Sequence, residues 1–127
     1  METGIRNQEE MIVKEENTAL AMGSGTLRVL ATPAMIALME NTAKNSIAAE
    51  LEEGSTTVGT ALNIKHVSAT PVGMKVRCES ELTAVNGRAL TFSLKAWDEA
   101  GLIGEGEHER FIVYAEPFAD KAYGKLK

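Results

Sequence analysis

The amino-acid sequence predicts an α+β fold in which an antiparallel sheet of four or five strands covers one long helix. Three observations carry this. Thr32 and Pro33 open a run of strong helix formers that continues to about Leu51. From Thr56 the hydrophobic period changes from 3.6 to 2 and stays there to Tyr114. Turn chemistry at 70–73, 86–87 and 99–101 then cuts this second half into strands. A chain of 127 residues supports one core rather than two, so a single domain over 1–127 is expected.

Taken in order, residues 1–9 are polar and expected to be loose, and Glu10 to Thr18 predicts a first strand around Met11 and Val13. Met22-Gly23-Ser24-Gly25 marks a turn leading to Leu27–Leu30. The helix opens with Thr32 as N-cap and Pro33 at the first helical position, and Glu52-Glu53-Gly54 closes it. Val58, Thr60, Leu62, Ile64 and His66 then share one phase of a strand. Thr70-Pro71-Val72-Gly73 fits a type I turn, with Pro second and Gly fourth. The next strand points Val76, Cys78, Ser80, Leu82 and Ala84 inward. Asn86-Gly87 signals a hairpin of type I′, which requires positive φ at both central residues. Leu90, Phe92, Leu94 and Ala96 return, and Glu99-Ala100-Gly101 turns the chain into a last strand from Leu102 to Tyr114. There Gly104 and Gly106 share a phase with His108, Arg110 and Ile112, as expected either for a close approach by the helix or a ligand, or for a bend or bulge. The polar tail 116–127 is expected to fray.

Composition narrows the function classes. A net charge of −5 without a basic stripe argues against nucleic acid as partner. No apolar run approaches the roughly 18 residues of a membrane span, and the N-terminus lacks the basic and apolar regions of a signal peptide. A cytoplasmic protein with no membrane association is therefore expected. Cys78 is the only cysteine, which removes an internal disulfide and a Cys cluster for zinc, and its apolar phase marks it as a buried structural residue. His66 and His108 are the only histidines and have no metal-ligand spacing, so no metal is expected.

Three residues are candidates for chemistry. Thr32 can be a plain cap, yet a helix N-terminus also offers unpaired N–H groups and partial positive charge to a carbonyl oxygen becoming anionic. Glu40 lies between Ile36, Ile47 and Leu51 around the helix, inside the arc that faces the sheet. A carboxylate there suits a general base or nucleophile; the alternative is a rim glutamate paired with Lys44 at i, i+4. His66 follows the phase of Leu62 and Ile64, toward the side the helix covers, either as a satisfied core histidine or as a partner of Thr32 or Glu40. A hydroxyl, a carboxylate and an imidazole where a helix meets a strand suggest acyl-transfer chemistry.

The segments ATPAMIALMEN at 31–41, VGTALNIKHVSATPVGM at 58–74, VNGRALTF at 85–92 and GLIGEGEHERFIV at 101–113 resemble the fluoroacetyl-CoA thioesterase-like branch of the hotdog-fold thioesterases. The resemblance implies a hotdog fold, a long helix wrapped by an antiparallel sheet. It further implies hydrolysis of an acyl-CoA thioester to a free acid and CoA, with CoA as part of the substrate and no cofactor. By motif it places the catalytic threonine, glutamate and histidine on Thr32, Glu40 and His66, a backbone substrate contact on Gly59 and a pocket-side arginine on Arg110. Fluoroacetyl-specific members carry aromatic side chains ahead of the helix; this chain has none before Phe92, so a more open acyl site is expected. A non-catalytic acyl-CoA-binding or sensor module is the alternative function, whereas a hotdog dehydratase would carry an Asp-x-Asn-Pro-x-His type of signature that is missing. The resemblance also implies a homodimer or dimer of dimers with the site at the subunit interface. Independently, the strand Thr56–Ala69 carries little edge protection, which predicts at least a dimer.

Overall fold

The computed structural model describes residues 1–127. Its elements are β1 (Arg6–Ile12), α1 (Ala19–Met22), α2 (Thr32–Ser46), β2 (Ser55–His66), β3 (Lys75–Asn86), β4 (Ala89–Asp98), β5 (Gly101–Tyr114) and α3 (Ala115–Tyr123). The strands form one antiparallel sheet in the order β1-β3-β4-β5-β2, with α2 lying across its inner face: the hotdog arrangement. No helix is long and apolar enough to cross a membrane.

The core forms where α2 meets the middle strands. Met35, Met39, Ala43 and Ile47 pack against Val76, Cys78 and Leu82 of β3, Leu90, Phe92, Leu94 and Ala96 of β4, and Ile103 of β5, all buried. Strand alternation supplies the β3 and β4 residues as read from the sequence, whereas Ile103 enters the core as the extra residue of a register shift opposite Ala96 and Trp97. The helix stops at Ser46, short of Leu51, because fully buried Ile47 leaves helical geometry and a 3₁₀ turn at Ala48–Glu50 takes over. Here tertiary burial outweighs the helix propensity of the two alanines.

The polar N-terminus is not loose from residue 6. β1 pairs with β3 from Arg6↔Glu81 to Ile12↔Lys75. Glu9 also clamps the strand to the helix: its carboxylate accepts from Asn41 Nδ2 at 2.7 Å and Asn45 Nδ2 at 2.8 Å. The tail is not irregular either, forming α3 through Tyr123. α3 is tied at its start by the Ala115 N–H donating to the Gly54 carbonyl at 2.9 Å, although none of its residues is buried.

Two turns differ in detail from the expectation, and a third falls where it was expected. Pro71–Met74 is closed by a Met74 N–H to Pro71 carbonyl bond, with Gly73 third at φ 96°, the position where a type II turn requires it. In the β3–β4 hairpin Asn86 pairs with Ala89, so the loop is Gly87-Arg88; only Gly87 has positive φ, the pattern of type II′ rather than I′. The Asp98 carboxylate caps the last turn by accepting from the N–H groups of Ala100 and Gly101.

Two register shifts matter for the inner face. One, between Leu82 and Ala84, turns Ala84 out of the core. The other, between Gly59 and Ala61 of β2, makes Thr60 the extra residue. Before this bulge Thr57 and Gly59 share a face with Ile112 and Arg110; after it Leu62, Ile64 and His66 share that face with His108, Gly106 and Gly104. Val58 and Thr60 therefore do not point inward as the simple alternation predicted. The two β5 glycines serve two close approaches. A Cβ at Gly104 would lie 2.6 Å from Met35 Sδ of the helix, and one at Gly106 would lie 2.0 Å from the Asn63 carbonyl oxygen of the neighbouring strand.

Candidate active site

Thr32 is the first residue of α2, not its cap. Ala31 has the extended conformation of the N-cap and its carbonyl accepts from Met35 N–H at 3.1 Å. The Thr32 hydroxyl, released from capping, lies 2.8 Å from His66 Nδ1. The helix delivers one partner and the end of β2 the other. His66 Nε2 is buried without a hydrogen-bond partner in the chain. Burial lowers the imidazole below its ordinary pKa, with the Ser68 backbone opposing, so the ring favours the neutral state that can take up a proton. The first turn of α2 adds its free N–H groups and positive dipole end beside this pair.

Glu40 stands two turns further along, at the flank of the helix over β2 and β5. Its side chain is 38% exposed and does not pair with Lys44; its neighbour is Arg110, with Nη1 3.9 Å from Glu40 Oε2 and a side chain only 7% exposed. A rim carboxylate facing a buried guanidinium replaces the expected carboxylate on an apolar sheet. Gly59 lies directly beneath: a Cβ there would sit 2.8 Å from Glu40 Oε2. The bulge after Gly59 and its missing side chain together open β2 at this point.

Arg110 is caged. Nε donates to Thr57 Oγ1 at 2.8 Å, Nη2 to the Thr57 carbonyl at 2.9 Å, and Nη1 lies 3.1 Å from His108 Nε2. Burial lowers the guanidinium from its usual range and Glu40 opposes this, but an arginine stays charged. His108 is fully buried; burial lowers its pKa, Arg110 adds to that, and the Ala61 carbonyl, Glu40 and Glu109 act against it.

Of the five residues singled out in the sequence, the structure joins Thr32 with His66 and, separately, Glu40 with Gly59 and Arg110. It does not join the two groups within one chain. Eight residues of helix separate Thr32 from Glu40, about 12 Å at 1.5 Å per residue. Thr57 and His108 were not singled out for the site. His108 shares the strand phase of Arg110, a signal visible in the sequence, whereas Thr57 reaches the inner face only because of the bulge. Cys78 takes no part: fully buried, its thiol is pushed up to about 11, chiefly by burial.

Comparison with known proteins gives the family of the chain. The family described as "Fluoroacetyl-CoA-specific thioesterase" matches residues 13–116. A fluoroacetyl-CoA thioesterase of Streptantibioticus cattleyicolor is 39% identical over 97 residues, 76% of this chain and 70% of that protein. A solved structure of a fluoroacetyl-CoA thioesterase superposes with a TM-score of 0.94 at 33% identity, covering 98% of this chain and 97% of the other. A hypothetical protein of Thermus thermophilus, described as a thioesterase superfamily member, gives a TM-score of 0.88 at 27% identity, covering 98% and 92%.

Proposed function

The chain belongs to the fluoroacetyl-CoA-specific thioesterase family, and from that premise we propose that it hydrolyses acyl-CoA thioesters at sites each completed by two subunits. Water and thioester give a free acid and CoA. Glu40 acts on the carbonyl carbon directly or through a water; the Thr32 hydroxyl and the helix N-terminus hold the carbonyl oxygen; His66 moves the proton to the departing sulfur. A solved relative, a mutant fluoroacetyl-CoA thioesterase 33% identical to this chain, holds fluoroacetate and CoA, which supports a CoA ester as substrate.

The observation that carries the two-subunit reading is the separation of the half-sites. Hydrogen-bond reach is about 3 Å, so a single carbonyl cannot engage groups some 12 Å apart on one helix. β2 is an edge strand of 12 residues, and Leu62 on its inner face is 44% exposed. A two-fold antiparallel pairing of β2 strands centred on Asn63 keeps inner-face residues opposite one another and, with Thr60 as the extra residue, sets His66 opposite Gly59 of the partner subunit. The Thr32–His66 half-site of one chain then meets the Glu40–Arg110 half-site of the other. This is the homodimer, and such dimers can pair further.

The acyl end lies in the cavity beside Thr32 and His66, walled by Ala19, Val29, Leu30, Val67 and Ala69. With aliphatic rather than aromatic walls, the site takes short to medium aliphatic acyl groups and lacks the selectivity for fluoroacetyl. A panel of acyl-CoA thioesters with a thiol-release assay tests the proposal. Turnover of aliphatic thioesters is expected, reduced at least about 10²-fold in Glu40→Gln. Tight binding of the panel without any turnover would make the protein a binding module instead.

A further inference from the structure

His108 has both ring nitrogens committed. Nδ1 lies 2.9 Å from the carbonyl oxygen of Ala61, the residue just after the β2 bulge. That oxygen only accepts, so Nδ1 carries the hydrogen and Nε2 is left as an acceptor. Facing Nε2 at 3.1 Å is Arg110 Nη1, which only donates. The two partners thus fix a neutral ring with hydrogen on Nδ1. Thr57 holds Nε and Nη2 of the same guanidinium. Nη1 is therefore hydrogen-bonded to the imidazole and stands 3.9 Å from Glu40 Oε2, beyond hydrogen-bond distance. A free guanidinium beside a carboxylate closes to about 2.7–2.9 Å.

We propose that His108 is a positioning residue for the hydrolysis: it holds the Arg110 Nη1 donor off Glu40, leaving the carboxylate near a positive charge without committing its oxygen. The proposal rests on the reading of Glu40 as the acting carboxylate. Without an acceptor at the Nε2 position, Arg110 closes onto Glu40, and a carboxylate bound to a guanidinium is a poorer base and nucleophile.

His108→Gln and His108→Asn separate this from a structural role. Gln keeps an acceptor where Nε2 stands; Asn keeps a donor near Nδ1 for Ala61 but does not reach Arg110. Both lose the ring that stands 6.3 Å from Phe92. Positioning predicts a kcat for the Asn variant at least about tenfold below the Gln variant, the scale of one hydrogen bond to a charged group, with KM changing less. Equal kcat values, or a more active Asn variant, would overturn it. If either variant fails to fold, ¹⁵N NMR of the wild-type imidazole decides: hydrogen on Nδ1 of a neutral ring at pH 7.5 is required, and a charged ring or hydrogen on Nε2 refutes the proposal. Glu40→Gln measured alongside distinguishes the failures. Wild-type turnover there removes the underlying reading, and with it this proposal; lost turnover there with equal His108 variants removes the positioning role alone.

Discussion

Replacing Gly59 by alanine adds a single methyl group under Glu40. The new Cβ would lie 2.8 Å from Glu40 Oε2, 3.2 Å from His108 Cε1 and 3.5 Å from Arg110 Nη1. His108 and Arg110 are buried and tied by hydrogen bonds, so the group that yields most is the carboxylate, the mobile end of a partly exposed side chain. It must retreat by about 0.6 Å to reach ordinary van der Waals distance, and the His108 ring must give by about 0.2 Å. Gly59 does not have positive φ, so alanine introduces no backbone strain, and the entropy gained by replacing glycine in a strand is about 0.5–1 kcal/mol. The melting temperature should accordingly hold or rise slightly. Turnover should not: a misplacement of up to 1 Å at a reacting group costs up to about 10²-fold, so a fall in kcat of about 10- to 100-fold is expected. Thiol release from the best acyl-CoA substrate, together with a thermal melt, gives both readouts. A folded Gly59→Ala protein with kcat within about twofold of wild type would refute the placement of Glu40 at the reacting carbonyl.

Other perturbations separate the remaining roles. Thr32→Val deletes a hydroxyl that caps nothing but bonds His66, so stability should fall by about 0.5–1.5 kcal/mol, leaving the protein folded, while kcat falls at least about tenfold, and Thr32→Ser should retain most activity; full turnover in the valine variant would take the hydroxyl out of the mechanism. His66 and His108 both have folded-state pKa values lowered by burial, so their neutral forms stabilise the fold above the unfolded value near 6.5, and this is lost as pH falls through the lower folded values. Thermal melts between pH 7.5 and 5 should show a decline, with Arg110 favouring, and Glu40 and Glu109 resisting, the neutral state of His108; a constant or rising melting temperature would contradict this. Cys78, with its thiol raised to about 11, should resist a disulfide reagent at pH 8 until the protein is unfolded, and rapid labelling of native protein would contradict its burial.

The chemistry of the helix start and the period-2 runs was legible because each is local. Pro33 and the alanine-rich run require a helix, and β4 alternates without interruption. What escaped depends on partners distant in sequence. Thr32-Pro33 reads as cap and first residue, but the helix begins one residue earlier, and that shift frees the Thr32 hydroxyl for His66. Arg6–Ile12 has too few apolar residues to announce a strand; cross-strand pairing with β3 and the Glu9 clamp hold it. In α3, Ala115, Phe118, Ala119 and Ala122 recur at helical spacing, but the polar residues between them make this a weak signal. The bulge at Thr60 has no local signature, yet it turns Thr57 toward Arg110 and sets the Ala61 carbonyl on His108. Thr32, Glu40 and His66 stand out by residue chemistry and position, Gly59 and Arg110 only through the family resemblance. Their separation into two groups could not be read there, because it follows from the helix length between Thr32 and Glu40 and from Glu40 standing beside Arg110.

That division can be measured by mixing two inactive variants. Thr32→Val and Glu40→Gln each disable one half-site, and each homodimer should be nearly inactive. If a working site takes Thr32 from one chain and Glu40 from the other, a heterodimer keeps one intact site, formed by Thr32 of the Glu40→Gln chain and Glu40 of the Thr32→Val chain. Random exchange at equal concentrations makes about half of all dimers mixed, so about a quarter of wild-type activity should return, as expected for sites formed across a two-fold interface. Co-expression with two affinity tags and isolation of the mixed dimer should raise this to about half. An isolated heterodimer as inactive as its parents would show that each chain carries its site alone, and would contradict the account.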